Sequence, residues 1–203
     1  MIPPLGGERL VVATHNDGKL AEISALLLPY GVDVTSAKAL GLDEPDETED
    51  SFAGNARIKA HAAAKASGLV ALSDDSGLVV DALGGAPGVY TADWAETPTG
   101  RDFTMAMTKV HDRLSHLSAA QPWTAMFCCT LCLAWPDGTD QIFAGEAAGQ
   151  LVWPVRGAHG FGFDPMFQPD GQPLTFAEMS IEQKTPLTHR ADAFRKLVSA
   201  CFT

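Results

Sequence analysis

Apolar and polar positions change their period several times along the chain. Residues 9–13, RLVVA, form a short apolar run of strand length. It breaks at THNDGK and passes into LAEISALLLPYG, where Leu20, Ile23, Leu26 and Leu27 keep helical spacing until Gly31 ends the helix. VDVTSA predicts a second strand. An acidic loop, GLDEPDETED, follows. Ser51 then stands as the N-cap of an alanine-rich helix, FAGNARIKAHAAAKASG, closed by Gly68.

Beyond that helix, LVALSDDSGLVVDAL predicts strand, polar interruption, strand. GGAPGVYTADW is too rich in glycine and proline for a regular element. GRDFTMAMTKVHDRLSHL has the pattern of an amphipathic helix. TAMFCCTLCLAW, the turn PDGT and DQIFAGEAAGQLV together predict a β-hairpin. RGAHGFGFDPMF is a glycine-rich loop, and ADAFRKLVSACF is a C-terminal helix. Strands and helices alternate early while hairpins dominate later. That order predicts an α/β fold with a mixed central sheet flanked by helices.

Composition narrows the picture. The chain has 203 residues, enough for one compact domain, with 14 Lys+Arg against 25 Asp+Glu and a net charge of −11. So acidic a chain is not expected to bind nucleic acid or a membrane through bulk charge. Any polyanion it handles must be held by local lysines, backbone N–H groups or a metal. Three of the four cysteines, Cys128, Cys129 and Cys132, crowd one apolar segment without the second ligand pair of a zinc site. They are expected to be reduced thiols packed in a strand. No signal-peptide core and no membrane-length apolar run is present. The expectation is a cytoplasmic protein with no membrane partner.

Candidate chemistry falls in four stretches. Thr14–Lys19 joins a strand to a helix start, where backbone N–H groups, the helix dipole and Lys19 favour a phosphate. A plain turn would look the same, and the G-x-x-x-x-G-K-[ST] pattern is absent. In SDDSG, two adjacent carboxylates interrupt what otherwise reads as core. Buried, such a pair needs a cation, a proton or N–H donors, and a Mg²⁺ site would supply the cation. The plainer alternative is a pair of acids capping a strand end at the surface. Neighbours in a strand diverge, so only one of the two need face a metal. The acidic loop offers Asp43, Glu44, Asp46, Glu47, Glu49 and Asp50 as further ligands, and spacing does not choose among them. GFGFDP sets two phenylalanines among glycines, either to stack a planar ring or to anchor the loop in the core. Lys184, His189 and Arg190 lie within seven residues of one another, suiting an anion or a carbonyl-bearing base, or simply opening a helix.

THNDGK, SDDSGL, GGAPGVYTA, GFGFDPMF and THR, in that order, resemble the inosine triphosphate pyrophosphatase family over nearly the whole chain. The resemblance implies a single domain over residues 1–203, with residues 1–8 as a loose extension. Its fold would have a mixed central sheet and two lobes with an active-site cleft between them. It implies a homodimeric, Mg²⁺-dependent enzyme that hydrolyses ITP, dITP and XTP to the monophosphate and pyrophosphate by attack of water at the α-phosphorus. It assigns Thr14, His15, Asn16, Asp17, Gly18 and Lys19 to phosphate binding, Asp75 to catalysis and metal binding, Glu47 to the metal, and Ser76 to the substrate. Phe161, Gly162, Phe163, Asp164, Lys184, His189 and Arg190 would enclose base and sugar. There are departures: Phe163 stands where tyrosine is usual, Thr188 where serine is usual, Gly54 where glutamate is frequent, and His15 where a small residue is usual. The competing readings are a nucleotide sensor without chemistry, a phosphatase using an aspartate nucleophile (which lacks its D-x-D-x-T pattern here), and a pyrophosphatase of modified pyrimidine nucleotides.

Overall fold

The computed structural model describes residues 9–15 and 17–202, the surroundings of Asp17 and Gly18 excepted. The extension expected at residues 1–8 lies outside the described residues, as do the assignments of Asn16 and of the Asp17 and Gly18 surroundings. Strand β1 (Arg9–Val12) leads into α1 (Asp17–Leu27), β2 (Asp33–Ser36), α2 (Phe52–Ser67) and β3 (Val70–Val80). After several single 3-10 turns come the short pair β4 (Glu96–Thr97) and β5 (Gly100–Arg101), helix α3 (Phe103–His116), and β6 (Trp123–Ala134) with β7 (Asp140–Leu151). The chain ends through β8 (Phe167–Pro169), α4 (Ile181–Lys184) and α5 (His189–Cys201). Six strands form one sheet in the order β2-β1-β3-β6-β7-β8, with β1 parallel to both β2 and β3 and β7 antiparallel to β8. The expected mixed sheet with flanking helices is what the chain forms.

The helix ends follow their capping chemistry. Ser51 Oγ accepts from Gly54 N at 3.1 Å to start α2, and Gly68 closes it at φ +69° in the left-handed conformation that glycine adopts without a Cβ penalty. Asp102 Oδ1 accepts from Met105 N at 3.0 Å at the start of α3. The PDGT turn between β6 and β7 is held by Asp137, whose Oδ1 accepts from the N–H and the hydroxyl of Thr139. The expected break inside LVALSDDSGLVV is absent. Residues 70–80 are one continuous strand, because the buried acids find partners on the neighbouring helices α1 and α2 and need no loop.

The chain divides into two compact units, each assembled from separated segments. The first comprises residues 1–75, 129–145 and 193–203, the second residues 76–128 and 146–192. In the first, the two-residue alternation of the sheet sorts side chains into two cores. Leu10, Val12, Val70 and Leu72 face Ile23 and Leu27 of α1 and Phe194 and Leu197 of α5. Val11 and Ala71 face Ala56, Ala60, Ala63 and Ala64 of α2. Those alanines recur at intervals of one and two turns, giving α2 a smooth stripe that seats closely on the sheet. The second unit packs Ala106, Met107, Val110 and Leu114 of α3 with Leu78, Val80, Trp123, Phe127, Phe163, Phe167 and Phe176. The four cysteines are free thiols, and burial pushes Cys132 up to about 12, with Asp140 adding to the effect.

Candidate active site

Alternation along β3 explains the paired acids. Asp74 shares the parity of Val70 and Leu72, so it points to the α1 side. Asp75 shares the parity of Ala71, so it points to the α2 side. Both are buried, 4% and 6% exposed, which removes the surface-cap reading. Each acid meets a lysine from the helix on its own face. Lys19 Nζ, in the first turn of α1, donates to both oxygens of Asp74 at 2.9 Å. Lys59 Nζ, in α2, lies 3.8 Å from Asp75 Oδ1 and donates to Glu47 Oε1 at 2.5 Å. Asn55, one turn before Lys59, donates through Nδ2 to Asp75 Oδ2 at 3.3 Å.

Three carboxylates thus face two ammonium groups, and the imbalance settles on Asp75. Burial pushes its carboxyl up to about 6; Glu47 and Asp74 add to the rise, while Lys59 and Asn55 only partly offset it. For Lys59, burial pulls the ammonium down, but Asp75, Asp74 and Glu47 outweigh it, and its pKa lies above the ordinary value. An acid under that pressure accepts a proton or a cation. Glu47 and Asp75 are hard oxygen donors of the kind Mg²⁺ prefers, so the residues fit that ion. Among the described residues no three His, Cys, Asp or Glu side chains gather into a ready-made cage. Mg²⁺ commonly completes such a partial set with water and substrate phosphate.

The end of β1 and residues 13–15 adjoin this group. Ala13 N donates to Leu72 O at 2.8 Å, which fixes the end of β1 against the strand that carries the acids, and Thr14 is buried behind it. His15 turns to the acidic loop, with Nε2 2.9 Å from Leu42 O and Nδ1 3.3 Å from Glu44 Oε2. Within the loop Glu47 reaches Lys59, and Glu49 N donates to Asn55 Oδ1 at 2.9 Å. Gly54 makes room for this arrangement, since a Cβ there would lie 2.5 Å from the Glu49 Cβ. The glutamate frequent at that position in the resembled family has no space beside this loop.

In the second unit, Asp164 is the organising residue. It is 4% exposed, its Oδ2 accepts from Lys184 Nζ at 2.6 Å and from Phe161 N at 2.8 Å, and Gly160, at φ +77°, has no Cβ to overlap that oxygen. The two phenylalanines of GFGFDP take separate roles. Phe161 is 68% exposed with Lys184 Nζ 5.1 Å from its ring centroid, whereas Phe163 is buried edge-on to Phe103. Phe161 therefore presents a ring, and Phe163 anchors the loop. Gly162, at φ +65°, lets the chain turn between them. His189 opens α5 with its ring stacked on Phe127 at 5.0 Å, and Arg190 beside it is buried. Ser76, next along β3, is half-buried.

Sequence reasoning missed Lys59 and Asn55. Their signal was available: a lysine and an amide, four residues apart, each precede an alanine of the buried stripe of α2 in a chain short of cations.

The sequence pattern of the Ham1 family matches residues 10–200. The chain belongs to the Ham1 family. It is 62% identical over 196 residues to the dITP/XTP pyrophosphatase of Ruegeria pomeroyi, covering 97% of this chain and 96% of that protein. It is 56% identical over 203 residues to the dITP/XTP pyrophosphatase of Agrobacterium fabrum, covering 95% of each. Among solved structures, a HAM1 protein from Coxiella burnetii superposes with a TM-score of 0.89 at 32% identity, covering 95% of this chain and 98% of that one.

Proposed function

We propose that this protein hydrolyses the non-canonical purine nucleoside triphosphates ITP, dITP and XTP to the monophosphate and pyrophosphate. The observation that carries the reading is Asp75, buried among Asn55, Lys59 and Glu47 and raised to about 6. A carboxylate with a pKa near neutrality suits a general base, because it is largely ionised at pH 7 yet basic enough to draw a proton. Its close relatives carry the dITP/XTP pyrophosphatase name, which supports the same substrates here.

Each residue then has a role. The Thr14–Lys19 turn and the start of α1 bind the triphosphate through N–H groups, and Lys19 moves charge from Asp74 toward it. Lys59 steadies Glu47 and Asp75 against mutual repulsion. Asp75 orients a water for attack at the α-phosphorus and takes its proton, while pyrophosphate departs carrying the negative charge that Lys19 compensates. Glu47 and Asp75 would hold Mg²⁺, which when bound neutralises the phosphates and aligns the reacting groups. Phe161 offers its exposed face to a purine. Lys184, His189 and Arg190 donate to carbonyl oxygens, and donors built for a C6 carbonyl are left unpaired by the amino group of adenine, a mismatch that costs orders of magnitude. The protein is proposed to act in the cytoplasm as a homodimer, which sedimentation analysis would test.

The test is pyrophosphate release across a nucleotide panel with Mg²⁺. Rates on ITP, dITP and XTP are expected to exceed those on ATP, CTP and UTP by at least ~10²-fold. Equal rates across the panel would refute the base assignment, and no release from any nucleotide would refute the reaction.

A further inference from the structure

We propose that Asn55 is a positioning residue that fixes the orientation of the Asp75 carboxylate and the acidic loop that carries Glu47, in one rigid link. The inference rests on the reading of Asp75 and Glu47 given above. Asn55 is 2% exposed and sits in the first turn of α2, where Ser51 and the helix N-terminus hold its backbone. Its amide has one donor edge and one acceptor edge. The orientation is decided by the Glu49 backbone N–H, which can only donate; Oδ1 must face it, at 2.9 Å. That leaves Nδ2 facing Asp75 Oδ2 at 3.3 Å.

Two consequences follow. Because Nδ2 can only donate, Asp75 Oδ2 serves as an acceptor, and the carboxylate turns its other oxygen, Oδ1, toward Lys59 at 3.8 Å. A base whose acting oxygen is chosen in advance need not search rotamers when water arrives. The same amide holds the loop two residues beyond Glu47, and Gly54 leaves the space that lets Glu49 sit against the helix. Lys59, one helical turn on, binds Glu47 and lies beside Asp75 by charge. Asn55 and Lys59 thus make the same connection by different means. The lysine supplies charge, and the amide supplies direction.

Asn55→Asp and Asn55→Ala separate the two ends of the link. Asn55→Asp keeps the acceptor for Glu49 N but removes the donor to Asp75; Asn55→Ala removes both. The measurements are steady-state kinetics of pyrophosphate release from dITP, hydrogen exchange of the Glu49 amide in the nucleotide-free protein, and thermal unfolding. For Asn55→Ala the expectation is a kcat lowered roughly 10- to 100-fold, a KM within about 3-fold of wild type, and Glu49 exchange accelerated at least ~10-fold. For Asn55→Asp, kcat falls as far while Glu49 stays protected. Unchanged kcat in a folded Asn55→Asp protein overturns the proposal, as does a loss confined to KM, or unaltered Glu49 exchange in Asn55→Ala. If Asn55→Ala does not fold, Asn55→Asp decides the catalytic half and its Glu49 protection the loop half. A wild-type protein that releases pyrophosphate while these variants match it defeats the link alone; a wild-type protein with no activity defeats the reaction instead.

Discussion

Asp75 is held against its own ionisation, and this has a measurable consequence for stability. Its folded pKa of about 6 lies above the unfolded value near 3.8. Such a group contributes stability that is fully present below the unfolded pKa and is lost as pH rises through the folded one. Above pH 6 the ionised carboxylate therefore opposes folding, by an amount of order 2–3 kcal/mol. Asp75→Asn, which keeps the shape and can still accept from Asn55, is expected to unfold at a higher temperature than wild type at pH 7.5 without divalent metal. The difference should shrink as the pH falls toward about 3, where wild-type Asp75 is mostly protonated in both states. Melting curves at the two pH values check it. Lys59→Met is expected to act in the opposite direction, lowering stability by about 3–5 kcal/mol at pH 7.5, because it leaves Glu47 and Asp75 facing each other with no cation; urea unfolding measures it.

At the scale of elements, the site depends on how closely α2 sits on the sheet. Ala60 is fully buried on the face that meets Val11 and Ala71, one residue from Lys59. Ala60→Leu is expected to cost about 1–3 kcal/mol by overpacking and to lower kcat as Lys59 lifts away from Asp75; denaturant unfolding and dITP turnover measure the two effects. Most elements were legible in the sequence because their signals are local: Ser51 and Gly68 bracket α2, and PDGT joins the two runs that become β6 and β7. The continuity of β3 was not legible, since an Asp pair reads as a break until the lysines that accommodate it are known. Those lysines come from helices 16 and 55 residues away. The same distance in sequence hid Asn55 and Lys59 as site residues. Phe161 and Phe163 were ambiguous for a related reason: only packing against Phe103 separates the anchor from the exposed ring.

For the whole molecule, charge is the governing quantity. A chain of net charge −11 repels a triphosphate, and in the proposed reaction local lysines with a divalent cation would reverse that near Asp74 and Asp75. Mg²⁺ together with a slowly hydrolysed dITP analogue is expected to raise the unfolding temperature more than the sum of their separate effects. Each ligand reduces the repulsion met by the other, a coupling that thermal shift titrations would read directly. The measurement closest to the central claim is pyrophosphate release from dITP by folded Asp75→Asn protein in saturating Mg²⁺. Turnover at least ~10²-fold below wild type is the predicted result. Turnover near the wild-type rate would contradict the account, since the buried acid would then have no part in the chemistry.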